Sequence, residues 1–483
     1  MGHSIPQLKD SSLFISRAYV NGEWIEAKSG EKFEVHDPAT GKLIGTCPEC
    51  STEDVEKAIL AAAEAFSTSR KMLARQRARI LHRWYQLVME NVEDLATLIT
   101  WENGKPLAEA RDEVAYAASF LEWFSEEAPR VYGDTIPSVI PEHRIITIKE
   151  PVGVCALITP WNFPAAMITR KIAPALAAGS NALVELAYRA GVPKGFINIV
   201  TALENTAQVG ELLTTDPEVH KVSFTGSTNV GRILMEQAAS TIKKVSWELG
   251  GNAPFIVFDD VENLDAAVDA ALIAKFRNSG QTCVCANRIY IHSRHYEEFA
   301  KRFSERVKKF RLGPGFLDGV THGPLIHKRA LEKVDEQVRD AVSKGATIIA
   351  GGKRSIELGP TFYEPTVLTG MTKDMLLASE ETFGPVAGLF SFETEQDVVK
   401  LANCAEVGLA GYFFSSDMAR VFRVAEALKV GMIGVNTGRI SEAASPFGGV
   451  KQSGFGREGS KYGIEEYITT KTVTFGGLNA SGF

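Results

Sequence analysis

The spacing of apolar residues changes twice along this chain. Short β-like segments occur first, at 19–24 and 33–35. Helical spacing then predicts amphipathic helices over residues 51–66, 73–90, 93–101 and 106–128. Alternation of apolar and polar residues then predicts a β-hairpin or projecting arm at 131–149. The segment 468–475 is similarly rich in strand-forming residues, and we expect it to pair with this arm or with another subunit. A surface hairpin without a role in assembly is the alternative.

From residue 152 onward, strand patterns alternate with helix patterns. The first series predicts a parallel sheet covered by helices, with strands at 154–158, 196–200, 221–224 and 255–258. A second series, from 263 to 440, predicts another α/β unit. One junction breaks the alternation, because the helix that ends at Gly179 is followed by the helix-like run 182–187 with no strand between them. The chain is therefore expected to be an α/β protein with two sheets.

Composition excludes several classes of function. The 483 residues carry a net charge of -7 with both signs spread along the chain, so nothing indicates a nucleic-acid partner. No uncharged apolar run approaches the roughly 20 residues of a membrane span, and the first residues lack the apolar core of a signal peptide. We expect a soluble protein of the cytoplasm, or of the mitochondrial matrix if a transit peptide was removed.

The six cysteines are too few and too scattered for a disulfide scaffold, so we expect reduced thiols. Cys47 and Cys50 have the spacing of half a zinc site or a redox pair, but no second pair or histidine cluster completes a site, and we expect no metal. Cys283 has a different neighbourhood, because Glu248 lies upstream beside Gly250 and Gly251. A thiolate attacks carbonyl carbon and a carboxylate activates water, so this pair fits a nucleophile and a base. A buried structural thiol and an ion-paired glutamate are the alternatives.

The segment Phe224–Gly231 has the composition of a turn that leads from a strand into a helix. Its small residues would let a phosphate approach the N-terminus of the helix. It lacks the G-x-G-x-x-G fingerprint, so a helix capped by Ser227 or Thr228, with Gly231 present for close packing, is an equal alternative.

Six segments, in this order, resemble the aldehyde dehydrogenases over about residues 12–475: Thr159-Pro160-Trp161-Asn162-Phe163-Pro164, the Gly226 turn, Glu248-Leu249-Gly250-Gly251, Gly280-Gln281-Thr282-Cys283, Glu381-Thr382-Phe383-Gly384-Pro385 and Pro446-Phe447-Gly448-Gly449. Four more are similar to the succinate-semialdehyde dehydrogenase branch: Met167-Ile168-Thr169-Arg170-Lys171, Lys275-Phe276-Arg277-Asn278, Val284-Cys285 and Gly456-Arg457-Glu458-Gly459-Ser460-Lys461-Tyr462-Gly463. The resemblance implies a Rossmann-type dinucleotide-binding domain (1–130 and 152–250), an α/β catalytic domain (251–440) and a β-arm for oligomerisation (131–151 and 464–483).

The resemblance also implies a mechanism. Cys283 would attack the aldehyde, and the side-chain amide of Asn162 with the backbone N–H of Cys283 would stabilise the oxyanion, a donor pair that typically contributes ~3 kcal/mol per donor. Hydride would leave for the nicotinamide, and Glu248 would activate the water that hydrolyses the thioester. A simple turn residue is the alternative for Asn162.

Substrate choice would depend on Arg170 and Arg277, because a guanidinium binds a carboxylate bidentately and stays charged. Ser441 could add a hydroxyl donor. Structural salt bridges are the alternative for both arginines. Cys285 could form a reversible disulfide with Cys283, or it could simply be a small apolar residue behind the site.

A nicotinamide dinucleotide, NAD or NADP, is implied by the residues that match the cofactor contacts of the family: Trp161, Gly226, Ser227, Gly231, Leu249, Glu381 and Phe383. A cap and a core aromatic are the alternatives for Glu381 and Phe383. Between Asn181 and Ala182 about 14 residues of the family pattern, a strand and a turn that contacts the adenosine ribose, are absent by comparison. The sequence therefore leaves the choice between NAD and NADP open.

The activity implied is NAD(P)-dependent oxidation of succinic semialdehyde to succinate, through a thiohemiacetal and a thioester on cysteine, by a homodimer or homotetramer. A dehydrogenase of another short aldehyde is the alternative among enzymes. A non-catalytic structural protein of the same fold is the alternative outside them.

Overall fold

Helices dominate the N-terminal part of the protein. The computed structural model describes residues 6–179 and 185–478. Two short hairpins and a four-helix layer come first: β1 Ala18–Val20, β2 Glu23–Ile25, β3 Lys32–His36, β4 Leu43–Pro48, α1 Thr52–Ser69, α2 Ala74–Glu90, α3 Val92–Asn103 and α4 Leu107–Glu127. The backbone N–H of Ser51 donates to Asp54 Oδ2 at 3.0 Å, which helps to fix the start of α1. The four helices predicted from apolar spacing are confirmed within a few residues.

The smaller sheet follows the helical layer. Its region contains β5 Thr135–Ile136, β6 Arg144–Pro151, β7 Val154–Ile158, α5 Ala166–Ala178, α6 Glu185–Arg189, α7 Thr206–Thr215, β8 Val219–Thr225, α8 Thr228–Ala238 and β9 Lys244–Glu248. Strands β7, β8 and β9 are parallel neighbours. Glu248 is the last residue of β9, so it lies at the carboxyl edge of this sheet, where ligands of parallel sheets bind.

The prediction of a strand at 196–200 is wrong. Only Ile199 makes a β-bridge there, to Tyr19 of the first hairpin. Phe196 and Ile197 are buried in the helical core instead of joining the sheet. Tertiary packing has overridden the strand propensity of this run. The junction between Asn181 and Ala182, where the sequence indicates a missing strand, lies outside the described residues.

The larger sheet has seven strands, in the order β12-β13-β14-β11-β10-β16-β17. Neighbours in it are parallel except β12 and β13. Hydrophobic clusters cover both faces, which makes it a buried α/β sheet. The elements are β10 Ala253–Val257, α9 Leu264–Phe276, β11 Ala286–His292, α10 Ser293–Val307, α11 Lys328–Ser343, β12 Thr347–Ala350, β13 Thr366–Thr369, α12 Leu376–Ser379, β14 Val386–Phe392, α13 Glu395–Asn403, β15 Val407–Gly408, β16 Ala410–Phe414, α14 Met418–Ala427 and β17 Met432–Val435.

The C-terminal segment returns to the smaller sheet and to the arm. Its elements are β18 Val450–Lys451, β19 Gly454–Phe455, α15 Ser460–Glu465 and β20 Ile468–Phe475. Strand β19 adds antiparallel to β9, with Gly454 opposite Glu248. Strand β20 pairs antiparallel with β6, from Ile468 opposite Pro151 to Phe475 opposite Arg144. The expected pairing of the tail with the arm is confirmed, as is the α/β class.

No helix among residues 6–179 and 185–478 combines the length and the apolar composition that crossing a bilayer needs.

Candidate active site

Cys283 lies in a loop whose backbone is strongly constrained. Before it, Asn278, Ser279 and Gly280 take left-handed conformations with φ of 52°, 53° and 76°. A Cβ on Gly280 would come within 2.1 Å of the carbonyl oxygen of Gly384, so this position needs glycine. Strain of this kind persists only where the surroundings hold it, and it is common at functional sites.

Gln281 fixes the same loop from within. Its amide nitrogen donates to the carbonyls of Asn278 at 3.2 Å and Pro324 at 3.3 Å, and its amide oxygen accepts from the N–H of Ile326 at 3.0 Å. On the other side, a Cβ on Gly251 would lie 2.3 Å from the carbonyl oxygen of Cys283. The backbone of Cys283 is thus held between the two sheets.

Asn162 reaches this loop from the segment between β7 and α5. Its side-chain amide donates to the backbone carbonyl of Gln281 at 3.0 Å. Its own backbone carbonyl accepts from Lys105 Nζ at 2.9 Å and from Asn278 Nδ2 at 2.8 Å. Its exposed fraction is only 2%. In the part of the chain that the structure describes, the backbone N–H of Cys283 has no hydrogen-bond acceptor. An amide nitrogen carries two hydrogens, so Asn162 keeps a second N–H besides the one donated to Gln281, two residues before Cys283. With the N–H of Cys283 it forms a donor pair that can stabilise an oxyanion.

Glu248 is buried, and no described residue donates a hydrogen bond to either of its carboxylate oxygens. Burial raises its pKa well above the usual range, and the charge of Glu458 raises it further. A carboxylate whose pKa is raised is a stronger base, which suits general-base catalysis.

Burial also raises the pKa of the Cys283 thiol to about 12, against an opposing effect of the Arg170 guanidinium. The thiol is therefore protonated in this arrangement, and nucleophilic attack requires a group that takes its proton.

The two candidate clamp arginines have different surroundings. Arg170 is buried, its Nη2 lies 2.6 Å from Glu458 Oε2, and its guanidinium lies 3.8 Å from the ring centre of Phe447. Lys171 Nζ lies 2.5 Å from the other oxygen of Glu458. Burial alone would raise the pKa of Glu458, but the charges of Arg170 and Lys171 hold it below the usual range. The structural ion pair, one alternative for Arg170, is present.

Arg277 has no carboxylate within ion-pairing distance among residues 6–179 and 185–478. Its guanidinium lies 4.8 Å from the ring centre of Phe163, and it lines a cavity of about 330 Å³. Tyr116 lines the same cavity, and its hydroxyl is hydrogen-bonded to Ser441. Motif reasoning missed Tyr116, because it is an ordinary position of helix α4 until the fold brings Ser441 beside it.

The thiol of Cys285 is buried and donates to the carbonyls of Lys275 and Gly280, both at 3.4 Å. In this arrangement it packs against the backbone behind the nucleophile. No cluster of potential metal ligands occurs among the described residues.

A cleft of about 690 Å³ separates the carboxyl edge of the smaller sheet from the larger sheet. Thr228 and Asn229, at the N-terminus of α8, line one side, and Glu381 lines the other. Glu381 accepts from the N–H of Gly251 at 3.1 Å, and burial raises its pKa to about 7. A helix N-terminus that opens into a cleft of this size fits the phosphates of a dinucleotide.

Of the predicted cofactor residues, only Glu381 lines this cleft; Ser227 and Leu249 are the chain neighbours of its lining residues Thr228 and Gly250. Trp161 and Phe383 form an edge-to-face pair with ring centres 5.8 Å apart. Ser227 caps α8 through Val230, and a Cβ on Gly231 would lie 2.5 Å from Leu249 Cδ2. A Cβ on Gly226 would lie 2.3 Å from the ring of Phe224. Both glycines therefore serve close packing, and that packing brings the turn to the cleft.

Comparison with known proteins agrees with this geometry. The model of the aldehyde dehydrogenase family matches residues 24–473. Glutarate-semialdehyde dehydrogenase of Pseudomonas aeruginosa is 54% identical over 98% of this chain and 100% of its own. Succinate-semialdehyde dehydrogenase [NADP(+)] 1 of Schizosaccharomyces pombe is 54% identical over 98% of both. The crystal structure of succinate-semialdehyde dehydrogenase from Burkholderia pseudomallei, 52% identical, matches with a TM-score of 0.95 over 98% of this chain and 100% of that one. The chain belongs to the aldehyde dehydrogenase family.

Proposed function

We propose that this aldehyde dehydrogenase oxidises succinic semialdehyde to succinate, with NAD or NADP as the oxidant. The observation that carries the proposal is Arg277, a guanidinium that faces the cavity without an internal counter-ion. A permanent positive charge in that place selects an aldehyde with a carboxylate at its far end. The yeast relative named for this substrate supports the choice.

The protein groups divide the chemistry between them. The thiol of Cys283 transfers its proton to a solvent water, and the thiolate sulfur bonds to the aldehyde carbon to give a thiohemiacetal whose oxyanion the Asn162 amide and the Cys283 N–H stabilise. A bound nicotinamide dinucleotide supplies the acceptor for the hydride that leaves this carbon. The acyl group then remains on sulfur as a thioester. Glu248 removes a proton from water, which attacks the thioester and releases the acid and the thiolate.

The carboxylate end of the substrate lies, in this proposal, against Arg277, with the Tyr116–Ser441 hydrogen bond beside it. Arg170 is the second arginine proposed for the clamp, and it reaches a substrate only if its ion pair with Glu458 opens. We propose that the cleft beside α8 takes the dinucleotide, with Ser227 on the pyrophosphate side and Glu381 and Phe383 on the nicotinamide side. The ring of Trp161 packs against that of Phe383, so Trp161 belongs to the nicotinamide side as well.

A five-carbon semialdehyde is the second candidate substrate, because the Pseudomonas relative is named for glutarate semialdehyde. A non-catalytic protein of this fold is less well supported, since Glu248 lies close enough to Cys283 for their charges to interact. We propose dinucleotide binding for 1–130 and 152–250, catalysis for 251–440, and assembly for 131–151 and 464–483. We propose a homo-oligomer built through the arm, in a reducing compartment such as the cytoplasm or mitochondrial matrix, where cysteines stay reduced.

The test is a steady-state assay of NAD and NADP reduction with succinic semialdehyde and, for comparison, butanal. We expect the wild type to prefer the semialdehyde, and Arg277→Gln to raise its KM about tenfold or more while the KM for butanal changes little. Arg75→Gln, which removes an exposed arginine on α2, is the matched control. Equal losses on both substrates would contradict the clamp, and no turnover with either cofactor would favour the non-catalytic alternative.

A further inference from the structure

The loop that follows β17 carries Arg439, an arginine that motif reasoning did not single out. Arg439 lines the 330 Å³ cavity together with Arg277 and Phe163. It also lines a narrower cavity with Thr282 and Val284, the residues on either side of Cys283. Arg439 therefore lies beside Arg277 at both cavities, one of which borders the loop that carries Cys283.

The backbone that presents Arg439 is fixed. Asn436, with a left-handed φ of 54°, accepts from the N–H of Ser415 and donates to its carbonyl, both at 3.0 Å. The hydroxyl of Thr437 accepts from the N–H of Arg439 at 3.2 Å. A Cβ on Gly438 would lie 2.1 Å from the carbonyl oxygen of Ala270, so the loop lies directly on α9. The direction of the Arg439 side chain follows from this anchored turn.

The acidic groups of the cavity are largely engaged elsewhere. Glu113 is paired with Lys105 at 2.5 Å, and Glu109 accepts from the N–H of Asn278 at 3.0 Å. Burial raises the pKa of Glu109 to about 7, which leaves it partly neutral. Asp112, the remaining acidic lining residue, is exposed.

As a result, the cavity contains two guanidinium groups without an internal counter-ion. Within the described part of the chain, neither Arg439 nor Arg277 has a carboxylate at ion-pairing distance. Each presents the planar guanidinium fork that binds a carboxylate.

The two arginines differ in depth. Arg277 is half-buried, whereas Arg439 is exposed at the cavity mouth. An aldehyde whose carbonyl carbon rests on Cys283 places its carboxylate farther out as its chain grows. We propose that Arg439 is a specificity-determining residue that binds the carboxylate of ω-semialdehydes one methylene longer than succinic semialdehyde. This inference rests on the proposed function, because it assumes that Arg277 binds the carboxylate of the shorter substrate.

The test compares the wild type with Arg439→Leu on three substrates: succinic semialdehyde, glutaric semialdehyde and the uncharged pentanal. We expect Arg439→Leu to raise KM for glutaric semialdehyde about tenfold with kcat retained, because a charge-assisted contact in a partly exposed site is lost. KM for succinic semialdehyde should change less than about threefold, and that for pentanal should stay the same. Arg75→Leu is the matched control for loss of an exposed arginine.

The outcomes separate this inference from the proposed function. If Arg439→Leu leaves KM for glutaric semialdehyde unchanged, or raises KM for all three substrates alike, the role of Arg439 is overturned. If the wild type prefers pentanal to both semialdehydes, the carboxylate clamp itself fails. A wild type that prefers the semialdehydes, combined with an unchanged ratio of the five-carbon to the four-carbon KM in Arg439→Leu, refutes only the role of Arg439.

Discussion

Replacing Glu248 by glutamine should separate the two halves of the proposed reaction. The side chain sits at the end of β9, where its backbone pairs with Thr225 on one side and Gly454 on the other. The change is nearly isosteric. Because no described group donates a hydrogen bond to the carboxylate, the substitution breaks no network, and the fold should be retained.

The size of the effect follows from the role of Glu248 as a base. A general base typically contributes ~10²–10⁴-fold to a proton-transfer step, so Glu248→Gln should lose ~10²–10⁴-fold in the rate of thioester hydrolysis. Burial raises the pKa of Glu248 well above the usual range, so its ionised fraction increases with pH over a higher range than for a free glutamate. The loss should therefore grow as pH rises, because glutamine does not titrate.

Stopped-flow absorbance of the reduced cofactor is the appropriate assay. Cys283 still reacts in Glu248→Gln, so we expect a burst of about one equivalent of reduced cofactor per subunit, followed by slow turnover. Glu426→Gln, an exposed position on α14, is the matched control and should behave as wild type. A variant with no burst, whose first turnover is as slow as its later ones, would show that Glu248 acts before hydride transfer and would refute the assignment.

Three further predictions concern stability, assembly and oxidation. Lys105→Met removes the ion-pair partner of Glu113 at a site where both side chains are at most 1% exposed. The free energy of unfolding, measured by denaturant titration, should therefore fall by ~3–5 kcal/mol. Lys328→Met, at a side chain that is 80% exposed, is the control and should change that free energy little. An unchanged midpoint would contradict the buried ion pair. Ending the chain before β20 removes the partner of β6. Light scattering should then show fewer subunits per particle than the full chain gives. An unchanged number of subunits would mean that the arm has no role in assembly. If Cys285 is the disulfide partner of Cys283, Cys285→Ala should make peroxide inactivation irreversible by dithiol, and recovery equal to wild type would rule the pairing out.

Local patterns were sufficient for much of the fold. The four N-terminal helices could be predicted because each carries its own apolar period and punctuation. The partnership of the tail with the arm followed from two unpaired strands of matching character. The prediction of a strand at 196–200 was wrong because the apolar residues of this run pack in the helical core, and no local pattern in the sequence indicates that packing.

The candidate site divides in the same way. Residue type and motif order were enough to predict roles for Cys283, Glu248 and Asn162, since each role demands a particular functional group within a recognisable local run. Charge pairing was decided only by the tertiary structure. Whether an arginine is available to a ligand depends on which carboxylate lies within a few ångströms, and in this protein Glu458 pairs with Arg170 from far along the chain, while Arg277 is left open. The same long-range packing brings Arg439 to the cavity mouth, because a contact between distant residues is set by the whole fold and by no segment of the sequence.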